Sequence, residues 1–434
     1  MNQRPAWEKI DAAAISVWLM TFSTLAYVPG GFIRFVFPKL LIVAVAIAVG
    51  VFAHRSGRLP RSIVVVTGVG AAVFCIAVLA SESPLASFVG RWPRYEGVVT
   101  LSIYLGAAWL GARILGGSSS EHNVRERNVE VLGKAAACAS LVLAAFSGLD
   151  AIGHSPLGTA DVIRAGSLLG NATDQGLVAM MFVAVLLRPA LTSRGPIRVA
   201  GLGAALLTVT LSGSRAAIAA TVIVLLLHAV IARGKVARYA YSGLGLLALF
   251  VVLLPQARDR FLNTGTVTGR SLQWQETLRL GGDHLLTGVG PSRYVDAIGR
   301  YQDQAWVRRV GVADPPDSPH SWPLQALASG GVPLLVVAVC LSALIAWLGW
   351  RAIRGSPDDM FVVGAFSATI AYGLALLTAF TIAGLWWPSM GPAWTCPTRA
   401  SHAGLIPAQH VASGSSHPRP TRMRQVDAVN YSAR

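Results

Sequence analysis

Residues 239–255 read YAYSGLGLLALFVVLLP. Residues 256–320 follow as QARDRFLNTGTVTGRSLQWQETLRLGGDHLLTGVGPSRYVDAIGRYQDQAWVRRVGVADPPDSPH. The first stretch is apolar and free of charge, the composition of a membrane helix. The second is the only long polar segment between hydrophobic runs. Working outward from this boundary, apolar runs recur near 11–29, 35–53, 63–80, 98–115, 131–148, 168–187, 197–211, 215–232, 321–349 and 361–387. With 239–255 they predict an all-α, polytopic membrane helix bundle of about eleven spans with one large extracytoplasmic loop. The run at 197–211 is short, which predicts a tilted or locally thinned crossing. A membrane β-barrel would need shorter segments alternating polar and apolar residues, a pattern the chain lacks.

Composition agrees. Hydrophobic residues make up 53% of the chain and charged residues only 13%, where a soluble domain carries roughly 25%. The formal charge of +16 sits in short loops beside the spans, where basic residues set orientation. No nucleic-acid partner is expected from such a placement; the expected surroundings are a lipid bilayer. Cys75, Cys138 and Cys340 fall within apolar runs and Cys396 in the tail, a spacing that matches neither a metal knuckle nor a disulfide framework. The first twenty residues show no clear small-x-small cleavage site, so they read as a first span with a short cytoplasmic head.

Placing the N-terminus inside makes every inner loop basic. These loops hold Arg55, Arg58 and Arg61; Arg113, Arg125, Arg127 and Lys134; Arg188, Arg194 and Arg198; Arg233, Lys235 and Arg238; and Arg351 and Arg354. The chain is then a multi-pass protein of the cytoplasmic (inner) membrane, with 81–97, 149–167, 212–214 and 256–320 outside. Arg34, Arg91, Arg94, Arg164, Arg215 and Arg270 lie in or beside the outer loops, against the orientation rule. An anionic ligand at the outer face is the simplest reason for them. The chain divides into a bundle with short loops (1–255), the large loop (256–320), C-terminal spans (321–387) and a tail (388–434). The tail is rich in Pro, Ser, His and Arg without apolar periodicity, and is expected to be disordered. Its abrupt start also fits a shifted reading frame or a truncated gene.

Several segments could carry chemistry. In LSGSRAAIAA (211–220) a tight turn joins two spans and Arg215 opens the second; charge at membrane depth marks a site or pathway, or else an arginine snorkelling to the interface. GSLLGNATDQG (166–176) follows Arg164 and places Asn171, Thr173, Asp174 and Gln175 at a helix start, where polar groups bind anions or cap the helix. SESPLASFVGRWPRYEG (81–97) offers Arg91 and Arg94 to a phosphate, although Glu96 could pair with Arg94. TGRSLQWQETLRL is loosely amphipathic and predicts an interfacial helix, with Arg270 at its start. GVGPSRY (288–294) is a turn without the lysine and context of a phosphate loop. His320 precedes the tenth span, where an imidazole can take a proton from a hydroxyl; Asp314 and Asp317 stand close enough in sequence to orient it. A zinc site using His284 and His320 matches no metal spacing.

Taken together, GRWPRYEG, RAGSLLGNATDQG, LSGSRAA, the Gly269–Arg270 pair ahead of a tryptophan, GVGPSRY and PHSWPLQALASGGVP resemble the O-antigen ligase and O-antigen polymerase-like membrane glycosyltransferases over residues 80–385. The resemblance implies transfer of a saccharide from a polyprenyl-diphosphate carrier to a saccharide, lipid or protein acceptor at the outer membrane face. It implies a metal-independent, cofactor-free and inverting reaction. Arg215 and Arg270 would then clamp the diphosphate and His320 would be the base. Arg91 or Arg94 would help bind the donor, with Arg164 and Asn171 as further donor-side candidates. Two departures stand out. Ser321 follows the histidine where the family usually has Asn, and the tail interrupts a further expected span. The rival expectation is a transporter for a small anion or a lipid-linked sugar, although no clear repeat relates the halves.

Overall fold

The computed structural model describes residues 11–30, 34–92, 94–117, 122–157, 168–192, 195–231, 235–253, 265–310 and 316–379. Among these the secondary structure is helical, with no strand. Ten helices precede the polar segment: α1 (Ala12–Ser23), α2 (Val36–Gly50), α3 (Arg61–Ala80), the short α4 (Pro84–Val89), α5 (Val98–Leu115), α6 (His122–Ala151), α7 (Ala172–Thr192), α8 (Pro196–Leu211), α9 (Arg215–Ile231) and α10 (Lys235–Leu253). The polar segment forms α11 (Gly265–Asp283), α12 (Tyr294–Ala297), a 3₁₀ turn (Ile298–Tyr301) and α13 (Gln304–Val310). Helices α14 (Trp322–Gly355) and α15 (Met360–Ala375) follow.

Each predicted span coincides with an apolar helix. Six of these, α3, α5, α6, α7, α10 and α14, are long and apolar enough to cross a membrane; α1, α2, α8, α9 and α15 are shorter. The edges differ from expectation where charge and hydropathy part company. Helix α6 starts at His122, nine residues before its apolar run, because HNVRERNVE is helix-compatible but charged. Helix α15 ends at Ala375, and the rest of the eleventh run, from 380, lies outside the described residues together with the tail.

Helix α7 is the axis of the bundle. Leu177 through Leu187 are all buried, packed against α6, α8, α9 and α15. Apolar all round, it reads as a core helix. Small residues bring the neighbours close: a Cβ on Gly201 of α8 would meet Ala137 Cα of α6 at 2.6 Å, the kind of contact that packs helices in lipid. Hydroxyls buried in this core bond back to their own helix, as Ser140 does to Ala136 O (2.7 Å) and Thr221 to Ala217 O (2.8 Å). Those hydroxyls are thereby satisfied where water cannot reach.

Two features organise the ends. At one end Arg113 closes the C-terminus of α2, donating to the carbonyls of Gly50, Val51 and Ala53 at 2.8–3.0 Å. There too Arg125 pairs with Asp359 (2.7 Å) and Arg198 with Glu130 (3.1 Å), joining the starts of α6, α15 and α8. Nearer the other end α14 breaks. Gly330 and Gly331 are non-helical, Gly331 with φ +66°, and Pro333 follows. The backbone groups freed there are taken by the polar segment: Val289 N–H donates to Ala328 O (2.8 Å) and Val332 N–H to Leu285 O (2.7 Å). Residues 285–289 thereby lie along the break.

Candidate active site

Local backbone builds the site around residues 316–322. His320 adopts φ +52°, a left-handed conformation uncommon for a non-glycine residue, which persists only where surroundings enforce it. Helix α11 enforces it from one side: Gln273 Nε2 donates to Ser318 O, and Trp274 Nε1 to Pro319 O (2.9 Å). The end of α15 holds the other side, where Trp322 N–H donates to Leu376 O (3.0 Å). Arg270, in the second turn of α11, donates to the Thr378 carbonyl, tying α11 to the same place. The stretch TGRSLQWQETLRL thus forms a helix, and its Gln273 and Trp274 side chains grip the segment that carries the histidine.

Arg94 comes from the turn before α5. Its side chain is 10% exposed, with Glu96 at 2.6 Å and Asp317 at 4.0 Å. Burial opposes the guanidinium's charge, but Glu96, Asp317 and Asp174 outweigh it and hold the proton more firmly than usual. The pairing of Arg94 with Glu96 that the sequence allowed is formed, and the second carboxylate is Asp317. Glu96 also accepts from Gln325 Nε2 (3.4 Å), which reaches Ser329 Oγ at 3.2 Å. Burial, followed by the cations Arg270 and Arg94, pulls the His320 imidazole down to about 3. His320 is therefore neutral at physiological pH, the form able to accept a proton.

The structure separates the remaining candidates. Arg91 enters an ion pair with Asp296, which also pairs with Arg293 (2.6 Å). Asn171 Oδ1 accepts the Thr173 N–H at 2.7 Å in the manner of an N-cap. Arg164 and Asp314 lie outside the described residues. Arg215 opens α9, where the preceding turn packs tightly on the start of α7: a Cβ on Gly176 would meet Ser212 Oγ at 2.5 Å and Ala217 Cβ at 2.6 Å. Asp174, two residues before Gly176, acts electrostatically on Arg94. Arg215, Asp174 and Arg94 therefore belong to one end of the bundle, the end that also carries His320 and Arg270. Residues 200–339 match the O-antigen ligase family model.

The match spans about a third of the chain and makes that segment similar to the O-antigen ligase family, in keeping with the chain's apolar, membrane-length helices. It covers Arg215, Arg270 and His320 and stops short of the Arg94 turn. No curated protein matches the chain.

Sequence reasoning missed three groups near this end of the ligase-like chain. Lys39, in the first turn of α2, is 2% exposed and donates to Ala26 O (2.6 Å) and Leu168 O (3.0 Å). A lone lysine inside the run FPKLLIVAV was the available signal. Gln325 escaped notice as an uncharged residue within a span. Glu276 of α11 is buried, and burial followed by the nearby Asp303 pushes its carboxyl up to about 7. Among the described residues no three His, Cys, Asp or Glu side chains gather as a metal-binding group. A cavity of about 470 Å³ lies at the opposite end of the bundle among Arg125, Arg188, Arg198, Glu130 and Asp359. Its charges include the ion pairs that join helix starts. The convergence on His320 is the better candidate for chemistry, because there the buried Arg94 and the partly exposed Arg270 meet a neutral base.

Proposed function

We propose that the chain is an integral membrane glycosyltransferase of the ligase or polymerase type. It moves a saccharide from a polyprenyl-diphosphate carrier to an acceptor hydroxyl or amine at the outer face of the cytoplasmic membrane. The observation that carries this reading is the convergence of Arg270 and His320 within the matched family segment. Arg270 and Arg215 hold the donor's diphosphate, and His320 is the base. Arg91, Arg164 and Asn171 remain candidates for donor contacts. As the acceptor oxygen attacks the anomeric carbon, the bond from that carbon to the diphosphate oxygen breaks and charge accumulates on the leaving group. Fixed guanidinium groups stabilise that charge as it develops, without a metal, and arginine forks onto phosphate while staying charged. His320 takes the acceptor proton. Attack opposite the leaving group inverts the anomeric configuration.

An imidazole held down to about 3 is a feeble base. A bound diphosphate offsets the Arg270 cation and moves the imidazole back toward the range useful for proton transfer. Donor binding and base strength are coupled in this reading.

His320→Ala and Arg270→Ala are each expected to abolish saccharide transfer in membranes while leaving insertion intact. Full transfer in both variants would overturn the mechanism. A transporter would instead move solute across vesicles of purified protein without consuming donor, so an uptake assay on the same preparations separates the two classes.

A further inference from the structure

We infer that Arg94 is a positioning residue: with Asp317, Glu96 and Gln325 it anchors the segment bearing His320, and it does not grip the donor's diphosphate. This rests on the reading of His320 as base. Three observations carry it. First, Arg94 is buried and already faces two carboxylates, Glu96 at 2.6 Å and Asp317 at 4.0 Å. A diphosphate approaching there would meet the two carboxylates that already face this guanidinium. Second, these contacts join two parts of the chain that are remote in sequence. Arg94 and Glu96 belong to the turn ahead of α5, Asp317 to the histidine segment and Gln325 to the first turn of α14. Third, His320 holds a left-handed backbone conformation. Helix α11 and the end of α15 brace the segment on two sides, and the Arg94–Asp317 contact supplies a third.

The turn itself is built to be rigid. Tyr95 N–H closes onto Arg91 O at 2.8 Å, and Tyr95 has φ +54°. A Cβ on Gly97 would meet Phe88 O at 2.4 Å, so the turn lies flush on the end of α4. An anchor of this kind fits a buried, doubly paired arginine; a ligand clamp needs an approachable one.

The test uses the full-length protein in detergent, with unsubstituted polyprenyl diphosphate as the binding probe and diethyl pyrocarbonate as the probe of His320, read by mass spectrometry. Arg94→Gln should leave polyprenyl-diphosphate affinity within twofold of the parent, while Arg270→Ala weakens it at least tenfold. Arg94→Gln and Asp317→Asn should each quicken His320 modification severalfold, and the double variant should be no faster than the quicker single one, since both remove the same tie. The pH midpoint of modification should rise in Arg94→Gln as a nearby cation is lost, and Arg94→Lys should restore much of the parental rate. A tenfold affinity loss in Arg94→Gln would overturn the inference, as would additive effects on His320. Should Arg94→Gln fail to fold, Asp317→Asn decides. A donor clamp at Arg94 predicts tighter diphosphate binding once that carboxylate is neutralised, and an anchor predicts unchanged affinity with a more reactive histidine. If Arg270→Ala also binds the probe normally, the diphosphate assignment of Arg270 fails, while the His320 measurements still test the anchor.

Discussion

The two ends of this bundle spend arginine differently. At one end Arg113 and Arg125 close helix termini, bonding carbonyls of α2 and α5 and pairing with Asp359. Each such contact joins helix ends, and none involves a buried base. At the other end Arg94 and Arg270 both bear on His320. The residue type is the same and the environments have opposite uses. Where guanidinium groups meet only carbonyls and carboxylates they act as staples. Beside His320 they add to burial in lowering the imidazole's proton affinity, and Arg270 contributes to the field that a diphosphate would meet.

Substitutions at the two ends break this comparison most sharply. Arg270→Ala should lower transfer at least about 100-fold, the usual scale for losing one preorganised donor to a developing anion. Arg125→Ala should leave specific activity per folded molecule unchanged. A transfer assay normalised to folded protein checks both, and equal losses would erase the distinction. Stability should respond in reverse order. Arg125→Ala leaves Asp359 without its 2.7 Å partner. It should cost about 2–3 kcal/mol in a denaturation series, below the figure for a fully buried pair because Asp359 is partly exposed.

The dependence of stability on pH is smaller and has two opposed parts. His320 titrates near 3 when folded against an ordinary 6.5. Between those values the unfolded chain binds the extra proton, so this group makes stability rise with pH. Glu276 titrates near 7 against an ordinary 4.5. There the folded chain keeps the extra proton, so this group makes stability fall as pH climbs from 4.5 toward 7. Glu276→Gln should therefore steepen the rise of stability with pH between 4.5 and 6.5, and His320→Gln should flatten or reverse it, as read from melting temperatures across that window. The smallest effect belongs to Arg198→Ala, which breaks a pair with the half-exposed Glu130 and should shift stability by about 1 kcal/mol or less.

Much of the helical framework was legible because hydropathy reports burial in lipid directly. The apolar runs located the helices, while charge hid the first turns of α6 and the length of α14 hid its break. The Gly330–Gly331–Val332–Pro333 run was a readable sign of that break, but nothing local tells which distant carbonyls will rescue the freed amides. Site residues were legible as types and less so as partners. Arg91 and Arg94 stand in one short loop and look alike in sequence, yet tertiary packing sends one to Asp296 and the other to Asp317. Asp317, three residues from the histidine, looked suited to orient it, and nothing local showed that it would face Arg94.

The interruption in α14 also works as a depth gauge. Residues 332–355 alone measure about 36 Å at 1.5 Å per residue, enough to cross a hydrocarbon core of about 30 Å. The stretch from 322 to 329 adds about 12 Å beyond the break. With residues 332–355 across the bilayer, as the proposed function requires, His320 would stand beyond the hydrocarbon boundary. For the proposed lipid-linked donor, whose tail would lie among acyl chains, the position of the break in α14 would then fix how far from those chains the diphosphate must reach.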